Sequence, residues 1–363
     1  MRMNLDQISL LLTYYPNLFD SNDFSIEALG NGLIHETWKI STPQKQVVLQ
    51  GYNQSVFPYP ERIQNNLEIL FQNQVADTLP FELPLPIPNQ EGQQLTEFQG
   101  KRWRIFPFVA GRTLEQIQAP NQAWLAARAF GAFSAAGKNL SMEAFQETIP
   151  NFHRLDLRFD RFQEVASTAT HLSEEEKGLL HFYLNQKPLI EFYKIQRKQL
   201  PLRLTHSDTK INNLIFSEDL QQIKALIDLD TVMPGLLLYD FGDLVRTVTC
   251  SQPETSTHWE EIRLQEEIFE QLVVGYLEGI KHMGSPAEFE SLLIGGEVMT
   301  CMMGLRFFTD HLQGNVYYRV NYPEQNLHRA KNQMILLRDQ QAKRAILRDI
   351  WEKSLEKVQS SDN

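Results

Sequence analysis

The chain changes character near Gly111, where patterns typical of β-strands give way to patterns typical of helices. Before that point, short apolar runs alternate with turn residues and predict strands, at residues 24–29, 37–40, 47–50, 95–98 and 102–108. Gln99-Gly100 predicts a hairpin turn between the last two strands. A small sheet followed by a larger helical region restricts the fold to the α+β class with two unequal parts.

Several later segments carry apolar side chains at helical spacing. The pattern predicts helices at residues 121–140 and 259–281, and an earlier one at residues 60–78. Ser173 and Ser285 each stand three positions before a glutamate, which is the pattern of a capping box at the start of a helix.

The length of 363 residues suits two lobes with a substantial core. We therefore expect a bilobal, protein-kinase-like fold, with a small β-rich N-terminal lobe at residues 1–107. A larger, mainly helical C-terminal lobe would occupy residues 108–363, after a short connector at residues 107–112.

A polar segment with the sequence LTHSDTKINNLIF occupies residues 204–216. It contains Asp208 and, five positions later, Asn213, and Asp228 follows twenty positions after Asp208. An aspartate can accept the proton of an attacking hydroxyl, and an asparagine with a second aspartate can hold Mg²⁺ against phosphates. The spacing favours phosphoryl transfer, with Asp208 as catalytic base and Asn213 and Asp228 as metal ligands.

Three further charged residues extend this prediction. Lys210 stands two positions after Asp208, where a cation can offset charge that develops on the transferred phosphoryl group. Asp230 adds a second carboxylate to the metal-ligand run Ile-Asp-Leu-Asp. Asp240 begins an Asp-Phe-Gly string thirty-two residues after Asp208, where a helix is expected to start. We predict that Asp240 caps that helix or bonds the catalytic loop.

Composition excludes several other classes of protein. The net charge of −11 is opposite to the basic footprint of a nucleic-acid binder, and no polybasic segment is present to hold an anionic membrane. Cys250 and Cys301 are too few for a disulfide scaffold. Asp6 interrupts the apolar run that a signal peptide needs, and no uncharged apolar run could span a bilayer. We expect a cytoplasmic protein that binds neither nucleic acid nor membrane.

Several segments together resemble the aminoglycoside phosphotransferase and choline kinase superfamily, and the chain is most similar to its N-acetylhexosamine 1-kinase group. The most specific segment is DLDTVMPG at residues 228–235. Other resembling segments are GNGLIHET at residues 30–37, IPNFH at residues 149–153 and GLRFFTD at residues 304–310. The resemblance covers the chain from about residue 25 to residues 326–329 and implies a bilobal kinase-like fold.

The resemblance also implies ligands. ATP with Mg²⁺ would bind between the lobes, and its implied contacts are Gly30, Gly32, Gln50, Phe106, Phe108 and Val109. Arg306 and Tyr317 match positions on the sugar side, where a guanidinium and a phenol can hydrogen-bond ring hydroxyls or an amide. The implied reaction phosphorylates the anomeric hydroxyl of a hexosamine and gives a sugar 1-phosphate.

The chain departs from the group's pattern at three positions. His35 stands where asparagine is usual, and Asn315 replaces an acidic residue common before Tyr317. Gly51 follows Gln50 where an arginine or lysine is usual, so the cation expected beside the α- and β-phosphates is unassigned. The candidates to replace it are Lys39, Lys45 and Arg62.

The residues leave three functions open: a sugar 1-kinase, a kinase of an amino alcohol or aminoglycoside, and a non-catalytic nucleotide or sugar binder. A cationic acceptor would need an acidic cluster near the site. The acid-rich residues 259–270 are interpreted as a solvated helix face. Arg306 also has a structural explanation, an ion pair with Asp310 four residues away.

Overall fold

The computed structural model describes residues 5–18, 24–29, 35–280 and 283–361. Within these residues the strands form one five-stranded antiparallel sheet and two separate two-stranded sheets, and most of the later chain is helical. The predicted α+β, bilobal, protein-kinase-like fold is confirmed, with a small N-terminal sheet and a larger helical part.

The five-stranded sheet has the order β1-β2-β3-β5-β4. Its strands are β1 (Ser25–Ala28), β2 (Glu36–Ser41), β3 (Gln46–Gly51), β4 (Thr96–Phe98) and β5 (Lys101–Pro107). Gln99 and Gly100 join β4 to β5 with φ angles of 51° and 72°, which is the two-residue turn that matches strand twist. The predicted hairpin is therefore confirmed.

The two faces of this sheet have different surroundings. One face is apolar and packs on helix α1 (Leu5–Leu12), in a buried cluster that includes Ile8, Leu11, Trp38, Leu49, Trp103 and Ile105. Because side chains alternate along a strand, Gln50 of β3 and Arg104 of β5 belong to the opposite face. These two residues are direct neighbours in the register of β3 with β5.

The segment between β3 and β4 packs against the larger core. Helix α2 (Pro60–Gln72) buries Ile63, Leu67 and Leu70 in the same apolar cluster as the later helices. The predicted helix at residues 60–78 ends at Gln72, and a short 3₁₀ turn covers Val75–Thr78. The predicted division of the chain at residues 107–108 stays a prediction.

The later chain is built from helices and two short hairpin-like sheets. The helices are α3 (Pro120–Ala136), α4 (Leu155–Thr168), α5 (Glu174–Leu184), α6 (Lys187–Gln199), α7 (Leu237–Val248), α8 (Glu266–Ile280), α9 (Pro286–Leu292), α10 (Gly295–Leu312), α11 (Gln325–Ala342) and α12 (Arg344–Ser361). The strands are β6 (Arg203–Thr205), β7 (Leu214–Phe216), β8 (Ile223–Leu226) and β9 (Met233–Gly235), with β6 paired to β9 and β7 to β8. Both predicted capping boxes are present, at Ser173 and Ser285.

The helix predicted at residues 259–281 begins later, at Glu266. The preceding residues form a 3₁₀ turn at Trp259–Glu261, and Leu264 forms a β-bridge with Cys250 that is incompatible with a helix there. Among the described residues, no single helix has the length and apolar composition of a membrane span. Helices α9 and α10, bent by 51°, meet those two criteria only when taken as a pair.

Helices α7 and α10 cross closely at Gly242. A Cβ added there would lie 2.1 Å from the carbonyl oxygen of Gly295 and 2.8 Å from Cγ of Met299. Because backbone cannot give way as a flexible side chain can, we expect Gly242→Ala to lower the free energy of unfolding by about 1–3 kcal/mol. Urea denaturation measures this. Gly178→Ala on α5 meets no atom within 4 Å and serves as the control; an equal loss in both variants would contradict the packing explanation.

Candidate active site

The polar segment forms a loop between β6 and β7 that is fixed to the start of α7. The carboxylate of Asp240 accepts hydrogen bonds from the backbone N–H groups of His206 at 2.7 Å and Ser207 at 2.8 Å. Ser207 has a φ of 64°, which is uncommon for a residue with a side chain and marks a constrained turn. Burial raises the pKa of Asp240 to about 7 against the effect of these donors. The predicted bonding of Asp240 to the loop that carries Asp208 is confirmed.

Three predicted residues meet within this loop. Lys210 Nζ lies 2.9 Å from Asp208 Oδ1, and Asn213 Nδ2 donates to Asp208 Oδ2 at 3.2 Å and to its backbone oxygen at 2.8 Å. Burial opposes the charge of Asp208, but the Lys210 ammonium outweighs it and lowers the pKa of that carboxyl. The side chain is therefore ionised at neutral pH and can accept a proton. Because Asn213 donates through its nitrogen, its amide oxygen is the atom that can bind a cation.

Asp228 follows β8 and lies beside the same loop, since the N–H of Ile227 donates to the backbone oxygen of Asn213 at 3.0 Å. Its backbone is left-handed, with φ 61° and ψ 60°, and its side chain is exposed to solvent. Although water reaches the carboxyl, the enclosing protein and the carboxylates of Asp230 and Asp208 raise the pKa of Asp228 to about 7. A bound divalent cation would reverse this shift.

The donor set fits Mg²⁺ that arrives with phosphates. No group of three or more His, Cys, Asp or Glu side chains suited to a metal ion occurs among the described residues. Asn213 and Asp228 carry side-chain oxygens on two segments that a backbone hydrogen bond joins, and these oxygens would be the two protein ligands. Mg²⁺ is commonly bound by one or two side chains together with substrate phosphates, so two ligands are sufficient.

Asp230 has different surroundings from Asp228. It is only 2% exposed, and Arg104 donates to both of its carboxylate oxygens at 2.6 Å. His35 Nε2 lies 2.7 Å from Oδ2 of the same carboxylate. Burial acts against ionisation, but Arg104 and His35 outweigh it and hold the pKa of Asp230 well below its usual value. The metal role predicted for Asp230 stays a prediction, and it competes with this buried ion pair for the same oxygens.

Arg104 is the residue that the sequence reasoning missed. It is 3% exposed, and its Nε and Nη2 donate to Gln50 Oε1 at 2.9 and 2.6 Å. A cation therefore lies beside Gln50 although β3 carries none after it. The three candidates considered for this role bond elsewhere: Lys39 with Glu27, Lys45 with the backbone of Asn17, and Arg62 with the backbone of Glu147. An arginine between buried apolar residues of β5 is the signal that could have identified it.

Three of the predicted nucleotide contacts, Phe106, Phe108 and Val109, lie at the end of β5 or directly after it. Gly30 and Gly32 lie outside the described residues. Phe106 and Phe108 are half-buried, and each ring faces a cationic side chain, at 5.0 and 4.3 Å from the ring centroid. Val109 is buried in a small apolar cluster with side chains of β7 and β8. The connector thus offers apolar surface of the kind that a nucleobase needs.

The two residues predicted to contact the sugar lie together near the end of α10. The guanidinium carbon of Arg306 is 5.7 Å from the ring centroid of Tyr317, and the Tyr317 side chain is 63% exposed. The alternative ion pair between Arg306 and Asp310 is wrong. Asp310 instead accepts the backbone N–H groups of Tyr317 and Tyr318 at 2.8 and 2.9 Å.

Comparison with known proteins gives the following likenesses. The model of a phosphotransferase enzyme family matches residues 25–279, which is well over half of the chain. A homoserine kinase of Agrobacterium fabrum (strain C58 / ATCC 33970) is 26% identical over 223 residues, 60% of this chain and 62% of that kinase. The match thus spans less than two thirds of the length of this relative.

Solved structures of low identity share the fold. An aminoglycoside 2′-phosphotransferase-IIIa in its GDP complex is 13% identical, with a TM-score of 0.61 over 92% of this chain and 99% of that one. A choline kinase from Cryptosporidium parvum Iowa II is also 13% identical, with a TM-score of 0.59 over 94% and 97% of the two chains. At these identities the likeness shows the fold alone.

Proposed function

Because this chain belongs to the phosphotransferase enzyme family, we propose that it is a small-molecule kinase that transfers the γ-phosphoryl group of Mg-ATP to a hydroxyl group. One observation carries the proposal: Asp208, Lys210 and Asn213 converge in one loop, and Ile227, the residue before Asp228, is joined to that loop by a backbone hydrogen bond. These are the oxygen and ammonium groups that phosphoryl transfer uses.

The proposed step is a direct transfer. The acceptor oxygen attacks the γ-phosphorus while its proton passes to Asp208, the bond from phosphorus to the β–γ bridging oxygen breaks, and ADP leaves with that electron pair. Lys210, paired with Asp208 at 2.9 Å, offsets charge on the transferred oxygens. Bound Mg²⁺ neutralises phosphate charge, and Asn213 and Asp228 would hold it.

ATP is proposed to bind between the lobes at residues 1–107 and 108–363. Its adenine would pack on the apolar connector, with its phosphates toward Gly30, Gly32 and Gln50. Arg104 supports this arrangement, because its guanidinium contacts Gln50 on one side and Asp230, two residues from Asp228, on the other. Arg104 then serves as the cation that β3 itself does not carry.

The proposed acceptor is a sugar, and the proposed reacting group is the anomeric hydroxyl of an N-acetylhexosamine or related sugar. Arg306 and Tyr317 supply donors suited to hydroxyl or amide oxygens. A cationic amino alcohol or aminoglycoside is disfavoured, because the acid-rich residues 259–270 present exposed glutamates to solvent, at positions 260, 261, 266 and 267. We therefore favour the sugar over a cationic acceptor.

The test is ADP release from Mg-ATP over a panel of N-acetylhexosamines, other sugars, ethanolamine, choline, an aminoglycoside and homoserine. We expect release that depends on one sugar, with a product that has lost its reducing end. Turnover of an amino alcohol, aminoglycoside or homoserine alone would replace the sugar assignment. Nucleotide binding without turnover of any acceptor would favour a non-catalytic binder.

A further inference from the structure

A cavity of about 210 Å³ lies between α4 and the end of α10. Its cationic and phenolic lining consists of Arg158 and Arg161 from α4 with Arg306, Tyr317 and Tyr318. Asp310 is the one carboxylate among its lining residues, and that carboxylate is already occupied by backbone N–H groups. Hydrogen-bond donors and positive charge therefore dominate the cavity.

Two of these guanidinium groups are not paired with a carboxylate of the described residues. In the part of the chain that the structure describes, neither Arg158 nor Arg306 forms a salt bridge. Arg158 Nη2 reaches two backbone oxygens only at 3.4 Å, and Arg306 Nη1 reaches Met303 Sδ at 3.7 Å. Arg158 Nε is buried without a hydrogen-bond partner. Burial and the neighbouring charge of Arg306 lower the pKa of Arg158.

A third donor reinforces this pattern, because Tyr318 Oη is also buried without a hydrogen-bond partner among the described residues. One arginine beside another cavity is neutralised instead. Arg154 lines a neighbouring cavity of about 220 Å³ and pairs with Asp156 at 2.8 Å. Buried donors and like charges without partners are unfavourable, so a ligand with several acceptor oxygens would relieve both.

Phe152 and His153 connect the cavity to the loop that carries Asp208. His153 Nε2 is 2.8 Å from the backbone oxygen of Ser207, the residue that precedes Asp208. The guanidinium carbon of Arg306 is also 5.3 Å from the ring centroid of Phe152, the chain neighbour of His153. A small acceptor with its hydroxyl at Asp208 can thus extend toward this cavity.

We propose that this cavity binds an anionic group, a carboxylate or a phosphate, carried by the acceptor away from its reacting hydroxyl. Arg158 and Arg306 would hold the group through charge-assisted hydrogen bonds, and Tyr318 would add a third donor. The inference rests on the proposed function in one respect, that the acceptor is a sugar. It narrows the acceptor class to acidic or phosphorylated sugars.

Matched acceptors test the inference in two arms. N-acetylglucosamine is compared with its 6-phosphate, and glucose with glucuronic acid, by ADP release. We expect kcat/KM to be at least about tenfold higher for the charged member of one pair, which also identifies phosphate or carboxylate as the group. Equal or better use of both neutral members would overturn the anion site while leaving the sugar kinase intact.

Calorimetry measures the affinity for the same four sugars without turnover. It therefore tests binding at the cavity independently of the reaction. Arg306→Gln and Arg158→Gln should each weaken binding of the charged sugar at least about tenfold, while Arg348→Gln, at an exposed site on α12, should not. Because the two guanidinium groups repel each other, neither variant should lower Tm. A lower Tm would indicate that the replaced arginine has a structural role instead. Unchanged binding in Arg306→Gln, or no binding of any charged sugar, would overturn the inference. If no sugar is turned over but arginine-dependent binding persists, the proposed kinase activity fails and the anion site stands.

Discussion

Replacing Asp208 with asparagine is expected to lower kcat by about 10²–10⁴-fold, because the variant cannot accept the proton of the acceptor hydroxyl. Asparagine keeps the shape of the side chain and can still accept the hydrogen bond from Asn213. The residues proposed to bind the Mg-nucleotide are others, so the KM for ATP should change by less than about threefold. Steady-state ADP release with the best acceptor of the panel measures both constants.

Asp219→Asn is the matched control for this variant. Asp219 lies in the exposed turn between β7 and β8, where it accepts from Ser217 and Gln221, so the same change there should leave kcat unaltered. Near-normal kcat in Asp208→Asn would place the base elsewhere. A large rise in the KM for ATP with little change in kcat would mean that Asp208 acts on the nucleotide rather than the acceptor.

The parts of the site that could be predicted are close in sequence. Asp208, Lys210 and Asn213 lie within six residues, so a loop that carries all three brings them together in almost any fold. Placing Asp228 beside them required one further prediction, that β7 and β8 form a hairpin. The apolar runs on either side of the turn indicated that hairpin. The superfamily predicted from these segments is confirmed by the family match over residues 25–279. The resemblance to N-acetylhexosamine 1-kinases stays a prediction.

The parts that were missed depend on contacts between distant segments. Arg104 and Asp230 are 126 positions apart, and His35 and Asp230 are 195 positions apart. Their contact requires the register of β3 with β5 and the approach of the sheet to the loop after β8. Hydrophobic periodicity indicates which residues are buried, but it does not indicate which buried charge meets which. For that reason the sequence left the cation of β3 unassigned and did not indicate the ion pair that Asp230 forms with Arg104.

Replacing Arg104 with methionine is expected to lower the free energy of unfolding by about 3–5 kcal/mol, because it leaves the buried carboxylate of Asp230 without its main counter-charge. The pair contributes two hydrogen bonds of 2.6 Å and links β5 to the loop that follows β8. Denaturant unfolding without nucleotide measures the loss. Arg161→Met removes an exposed ion pair with Glu164 and should cost less than about 1 kcal/mol.

A double-mutant cycle decides whether Asp230 is a structural partner or a metal ligand. As a structural partner, Asp230→Asn should destabilise the nucleotide-free protein much as Arg104→Met does, and the double variant should lose less than the sum of the two. As a metal ligand, Asp230→Asn should alter the Mg²⁺ dependence of ATP affinity and leave that stability nearly unchanged. Asp228→Ala provides the comparison, because its exposed carboxylate has no buried partner to strand and should affect the Mg²⁺ dependence alone. If the losses of unfolding free energy from Arg104→Met and Asp230→Asn were additive, the two residues would not stabilise each other. The proposed role of Arg104 as the cation beside β3 would then lose its structural basis.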